Sequence, residues 1–494
     1  MKNTLLRKSL WLVVFALVVA GGAQQVRSQP LMELLGSPSA TNPMTARAWG
    51  SGPAAAYFNP ALLVHEEGST AVLSFLYLGQ FLDIGLAPRA SSLDISSEIY
   101  DARIRLPDGG NARLDYRPLP TDALRNARGS ADPGTSGYYL EFGGTLVVVP
   151  KRLVFGIHAL LPAGSAMQQA SSFPDEREQS FSNSLSFELL GDRMSGTAFS
   201  VGLGGRVLSW LDLGVGLSMT TASRAISDVY IQDATYQETA YIQTRFKVDL
   251  SVVPHFAVSI RPLQNLSVSA TLHLPAESSI EGGTDVQMWN YPYAEGESSL
   301  TQRFEFAGGF EPLRGGLGVA YLSPQEGGFG WGVAGAAKYA RWSDYRNRHN
   351  EAPEDDWSDT LSASAGGQIA LGPHVVSLDL AYVPTPVPAQ TGRSNYVDNS
   401  RAGASLSWHL ALPLAGRTWT VGLQAQLHRL FSRSVEKSLD ASHPVFDEFP
   451  DSVYVTSGGE IESSAGLQTN NPGYPGFSSE GWLFGAALTL GVTL

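Results

Sequence analysis

The stretch from Gly481 to Leu494 constrains the fold of this chain more tightly than any other. At alternate positions Trp482, Phe484, Ala486, Leu488, Leu490, Val492 and Leu494 form an apolar row, while Gly481, Gly485, Ala487, Thr489, Gly491 and Thr493 form a small or weakly polar one. A period of two is the mark of a β-strand whose side chains leave on opposite faces. A half-buried strand of a soluble sandwich shares that period, but rarely over such a length and with so uniformly small a second row. A transmembrane strand needs about 9–11 residues with lipid on one side and a tightly packed, wetter interior on the other.

The opening residues agree with export. Lys2, Arg7 and Lys8 precede an apolar run from Leu10 to Ala20, and Gly21 and Ala23 supply small residues after it. That run is too short to cross a bilayer of about 30 Å as a helix, so residues 1–23 read as a secretory signal peptide, with cleavage after 23 or after 28. The chain contains no cysteine. This excludes a lipid-modified N-terminal Cys, a disulfide framework and a thiolate metal site. Hydrophobic residues make up 43% of the chain, yet no run beyond the leader approaches the length of a spanning helix. Spanning therefore falls to strands, closed on themselves so that no backbone group is unpaired in lipid. A net charge of −13 argues against a nucleic-acid partner.

Residues 24–68 do not alternate and read as a small plug. Leu31 to Leu35 fits one helical turn, and Asn59 followed by Pro60 fits the start of a short helix, with Asn59 as N-cap. Residues 69–494 read as an antiparallel barrel of about fourteen strands. Short turns are expected at Pro150, Ser209, Pro262, Pro324, Pro373 and Pro413. Long loops alternate with them at about 163–189, 227–243, 277–299, 344–357, 385–399 and 432–478. That alternation places both termini on the periplasmic side. Pro162-Ala163-Gly164 interrupts the third strand, because proline lacks a ladder donor. His255, His273, His409 and His428 fall on the lumen side.

Four motifs, in order along the chain, resemble the FadL family of outer-membrane transporters for long-chain fatty acids and other hydrophobic compounds. They are Asn59-Pro60-Ala61, the run from Tyr339 to Tyr345 around Trp342-Ser343, the run from Pro386 to Gln390 with Arg393-Ser394 beyond it, and Gly481-Trp482-Leu483-Phe484-Gly485. The resemblance implies a fourteen-stranded barrel in the outer membrane of a Gram-negative-type bacterium, closed by an N-terminal helical hatch. It implies ligand capture in a groove between external loops, then a lumen pocket, and sideways exit at a kink in the third strand. Carried onto this sequence, the hatch motif is Asn59, Pro60 and Ala61, and the kink is Pro162, Ala163 and Gly164. The groove would use Tyr230, Ile231, Tyr236, Met288, Trp289, Tyr291 and Tyr293, although an aromatic on an external loop is equally a girdle or loop-packing residue.

Expected partners are a hydrophobic small molecule, outer-membrane lipid and lipopolysaccharide, and the barrel-assembly machinery, with the barrel itself a monomer. No cofactor or metal is expected. The acidic run at Glu354, Asp355 and Asp356 reads as solvated loop or a cation bridge to lipopolysaccharide. Arg224, Arg346 and Arg348 lie near Asp228 and Asp344 and form no evident carboxylate clamp, which leaves fatty acids and neutral hydrocarbons or aromatics both open as substrates. Two other classes stay open. One is a barrel serving as carrier or scaffold in protein secretion through the 432–478 loop. The other is an outer-membrane enzyme, which would need Ser/His or Asp/His groups in mutual reach.

Overall fold

The computed structural model describes residues 30–50, 52–87, 103–105, 111–113, 137–163, 185, 189–190, 197–221, 240–248, 252–289, 297–325, 327–346, 352–353, 355–391, 394–437, 452–455, 461–464 and 476–494. The expected leader and its cleavage sites lie outside these residues.

Fourteen strands close into one antiparallel barrel. In chain order they are β1 Thr70–Leu86, β2 Gly137–Val149, β3 Leu153–Pro162, β4 Thr197–Leu208, β5 Leu211–Thr221, β6 Val252–Leu263 and β7 Leu266–His273. There follow β8 Arg314–Leu322, β9 Phe329–Ala340, β10 Thr360–Leu371, β11 His374–Val383, β12 Arg401–Leu414, β13 Arg417–Glu436 and β14 Gly476–Thr493. Each strand pairs with its neighbours in sequence, and β1 pairs with β14 from Thr70 opposite Thr493 to Leu86 opposite Phe477. Closure leaves no free edge, which is the condition for strands in hydrocarbon.

The cylinder is polar inside and apolar outside. On β14 Trp482 and Leu488 are 43% and 53% exposed, whereas Leu483 and Ala487 between them are 0% and 6%. Leu140 and Phe142 on β2, Leu213 and Val215 on β5, Leu317 and Val319 on β8, and Leu378 and Leu380 on β11 continue the exposed row. The opposite row buries polar groups: Ser74, Glu141, His158, Ser200, Ser269, Asp379, Ser405, Gln424 and His428. In water such a surface would be far too apolar to stay dispersed. In a bilayer it is the lipid face.

Two expectations are corrected. The long loop expected at 277–299 is instead mostly strand, and the chain on either side of it is divided between the barrel and a second sheet. Strands Ala240–Val248, Ala276–Trp289 and Glu297–Glu311 form a separate three-stranded sheet. Pro275 and Pro312 stand at two of the divisions, where neither has an N–H to continue a ladder. Pro262 and Pro413 lie inside β6 and β12, and the second of these turns falls instead at Ala415-Gly416, where both residues have positive φ.

The residues before β1 fill the lumen. They form α1 Pro30–Leu35, α2 Ala46–Trp49, α3 Ala55–Phe58 and a 3₁₀ turn Pro60–His65. Leu31, Met32, Leu35, Tyr57 and Phe58 of this hatch join Leu76, Tyr139, Leu160, Leu430 and Leu483 of the wall in the largest apolar cluster.

Candidate functional site

Small residues on the wall let the hatch backbone lie directly on the strands. A Cβ on Gly202 would stand 2.8 Å from Ala56 Cα, one on Gly204 2.4 Å from Pro60 O, and one on Gly214 2.1 Å from Ala61 N. Asn59 and Ala61 are fully buried in this seat. The expected cap is not formed, and the helix at Pro60 is a 3₁₀ turn: Asn59 has φ −164° and makes no side-chain cap. Its Nδ2 donates instead to Arg47 O at 2.9 Å, which ties the end of α2 to the turn that follows α3. Pro60 keeps the expected place at the start of the turn.

Polar wall residues hold the hatch from several sides. Asp379 of β11 accepts from Asn42 Nδ2 at 2.7 Å, Met44 N at 2.9 Å, Thr45 Oγ1 at 3.0 Å and Thr45 N at 3.3 Å. Glu141 of β2 accepts from Ser37 Oγ at 2.5 Å and Ser39 Oγ at 3.0 Å. Gln426 Nε2 donates to Leu35 O at 2.7 Å. His65, at the end of the hatch, meets Asp212 at 2.9 Å, and Arg206 binds the other oxygen of that carboxylate at 2.8 Å.

One hatch carboxylate gathers most of the lumen's positive charge. Glu33 accepts from Arg47 Nη2 and Tyr57 Oη at 2.5 Å each and from Lys338 Nζ of β9 at 2.6 Å, with Arg314 Nη1 of β8 at 3.1 Å. Arg314 also meets Glu311 at 2.9 Å. Burial alone would raise the pKa of Glu33, but Arg47, Lys338 and Arg314 outweigh it and hold the carboxyl well below its ordinary value of 4.5. Burial pushes the Tyr57 phenol well up, so it stays a donor. A lowered carboxylate pKa means that its stabilising contribution is present above the ordinary value and is lost only as pH falls through the lowered one. The stabilisation that Glu33 contributes to α1 is therefore expected to stay constant from about pH 7 to about pH 5, measured as amide protection by hydrogen exchange.

Beside this cluster lies a cavity of about 60 Å³. Its lining is apolar at Met32, Leu34, Phe58, Ala337 and Val383 and polar at Lys338, Arg401 and His428. Pockets that hold drug-sized ligands run to roughly 300–1,000 Å³, so a long apolar molecule fits only if the hatch shifts.

At the long-loop end, two of the sequence motifs meet. Tyr345 stacks on Trp357 at 3.8 Å and packs edge-on against Tyr396, with Trp342, Phe310 and Val387 in the same cluster. Gln390 fastens the loop by bonding both N and O of Tyr396.

Of the groove residues, Met288 and Trp289 lie in the strand Ala276–Trp289, while Tyr230, Ile231, Tyr236, Tyr291 and Tyr293 lie outside the described residues. In the backbone register of this sheet Ile280 pairs with Val248 and Phe306, Gly282 with Phe246 and Phe304, and Val286 with Ile242 and Leu300. At the site of the expected kink, β3 ends on Pro162, and Ala163 N donates to Tyr138 O at 2.7 Å. Among the described residues, pairing of β3 with β2 reaches Pro162, and pairing with β4 reaches Leu160 opposite Ala198. Gly164 lies outside the described residues. The lumen histidines are buried as expected. His255 approaches Ser218 at 3.2 Å, but its Nε2 is bound to Ala56 O of the hatch.

Sequence reasoning missed Glu33, Arg47, Arg314, Lys338 and Asp379. Lys338 and Asp379 did leave a signal: a single charge in the small row of a membrane strand, which is costly without a function or partner.

A scan against protein-family models and a search of curated proteins both find no match. Among solved structures the chain is similar to a Pseudomonas aeruginosa FadL homologue, with 14% identity and a TM-score of 0.51, covering 94% of this chain and 99% of that one. It is also similar to the P. putida toluene transporter TodX, at 10% identity and TM-score 0.48 over 94% of this chain and 99% of that one. The CymD monoaromatic hydrocarbon channel matches at 10% identity and TM-score 0.46, over 94% and 98%.

Proposed function

We propose, from the premise that this chain has the fold of FadL-type outer-membrane barrels, that it is a passive transporter of hydrophobic small molecules. The observation that carries this reading is a lumen closed by a hatch held only through non-covalent contacts, with a part-apolar cavity at the hatch–wall boundary. Transport then needs no chemistry. An apolar solute leaves water on an external surface, enters the drier cavity as the hatch shifts, and departs down its gradient.

The apolar residue types that the three-stranded sheet pairs, Val286 with Ile242 and Leu300, support its use in the first step. Val286→Asn with Leu300→Asn is expected to slow uptake of a labelled hydrophobic compound into proteoliposomes several-fold without loss of barrel assembly. Trp289→Ala with Tyr291→Ala, the pair that the family resemblance points to, is expected to slow uptake as well, again without loss of barrel assembly. Equal uptake in all of these proteins would remove the sheet from the pathway.

The end of β3 on Pro162, which has no N–H to continue a ladder, supports an exit there. With no native cysteine, Leu160→Cys and Ala198→Cys can be joined cleanly, since opposite residues in an antiparallel pair are within disulfide reach. Oxidation is expected to slow uptake and reduction to restore it. Uptake indifferent to oxidation would place the exit elsewhere.

A further inference from the structure

We propose that Leu190 is the side chain that decides which shape of apolar solute enters the lumen. Narrow, unbranched chains pass it, and broad, compact molecules of the same carbon count do not. The inference rests on the transporter reading and adds to it a selectivity residue and a solute shape.

Leu185, Leu189 and Leu190 belong to the connection between β3 and β4, and each reaches a different apolar cluster. Leu185 packs with Ile84, Val397, Val435 and Phe477. Leu189 packs with Phe310, Tyr345, Trp357 and Val387 at the long-loop end. Leu190 is fully buried in the lumen cluster, with Tyr57 and Phe58 of the hatch, Leu76 and Leu78 of β1, Leu160 of β3 and Ala198 of β4. Two consecutive residues therefore join the aromatic cluster to the lumen. Leu82 of β1 packs on both the lumen cluster and that of Leu185, which extends the same apolar seam.

Polar groups border this junction. Arg314 meets Glu311 at 2.9 Å and donates to Tyr57 Oη at 3.1 Å, so an ion pair links the residue after Phe310 to a ring of the lumen cluster. Gln80 and Asp398 are buried as well, and Gln80 Nε2 donates to Leu190 O at 2.9 Å. An apolar solute cannot replace the hydrogen bonds of such groups, so displacing them is costly. It crosses where apolar contact continues, from Leu189 to Leu190.

Leu190 also differs from its neighbours in what carries it. Leu76, Leu160, Leu430 and Leu483 are on barrel strands paired on both sides, and Met32 and Leu35 are on the hatch. Leu190 is on neither, so its side chain can turn aside without opening the wall or lifting the hatch. A close-packed cluster yields to a narrow chain by such a rotamer change, whereas a broad solute would have to push backbone.

The test uses the full chain expressed in a Gram-negative host and two labelled hydrocarbons of equal carbon count, n-decane and adamantane. Uptake is measured against cells carrying the empty vector. The wild type should favour n-decane. Leu190→Ala should raise the ratio of adamantane to n-decane uptake about ten-fold, the scale on which a pocket discriminates by a few methylenes. Leu190→Trp should lower the ratio below that of the wild type. Leu430→Ala opens the same cluster from β13 and should leave the ratio unchanged, which separates a filter from general loosening. Heat-modifiable gel migration reports barrel assembly, and if Leu190→Trp does not assemble, Leu190→Phe takes its place. An unchanged ratio in Leu190→Ala, or an equal shift in Leu430→Ala, would overturn the filter and leave transport standing. Uptake of neither probe above the empty vector by any of the proteins would overturn both.

Discussion

Gly214→Val is expected to yield an assembled barrel with an undocked hatch. The first carbon of any side chain at this position would lie 2.1 Å from Ala61 N and 2.4 Å from Pro60 C, and these are backbone atoms that cannot swing aside. The lipid-facing neighbours Leu213 and Val215 are untouched, so insertion should proceed. Overpacking a close contact costs roughly 1–3 kcal/mol even where side chains can yield. Here the hatch must lift instead. Heat-modifiable migration should remain normal, while hatch proteolysis and passage of a small hydrophilic antibiotic should both rise by about an order of magnitude or more. A closed Gly214→Val barrel would contradict the backbone-on-backbone seat.

Asp379→Ala should loosen the hatch from the opposite wall. The carboxylate is 1% exposed and takes four hydrogen bonds from Asn42, Met44 and Thr45. Each buried donor left without a partner costs about 1–3 kcal/mol. Amides of α2 should lose protection by roughly a hundredfold or more, with those of β10 and β11 unchanged. Asp379→Asn should fall between the two, since an amide oxygen can keep some of these bonds. Unchanged exchange in Asp379→Ala would show that the glycine seat suffices alone.

The two mutations sit at different levels of legibility. The barrel was readable because lipid enforces one rule at every second position, as Trp482, Phe484 and Leu488 show on β14. Strand number followed from the same rule. The division of strands near Pro275 and Pro312 was not read, because alternation continues from the wall into the second sheet and only the missing donors mark the change. Inside the lumen no single rule applies. Gly214 reads in the sequence as one small residue among many, and its role depends on Ala61, far away in the chain. Glu33 lies in a short apolar helix whose partners Arg314 and Lys338 are roughly three hundred residues away, beyond the reach of any local pattern. Asn59 was identified for the right segment, but its amide went to Arg47 O because a tertiary contact displaced the local cap.

The β1–β14 seam sets an order of events during biogenesis. Thr70 cannot meet Thr493 until every strand between them has been delivered, so closure is the most non-local pairing in the barrel. The hatch precedes β1, yet its anchors are dispersed over β2, β5, β8, β9, β11 and β13. No half-built cylinder presents them together. Docking must therefore trail closure, and a nascent, still unsealed channel passes through a leaky stage that ends when a segment made before any strand becomes the last to settle.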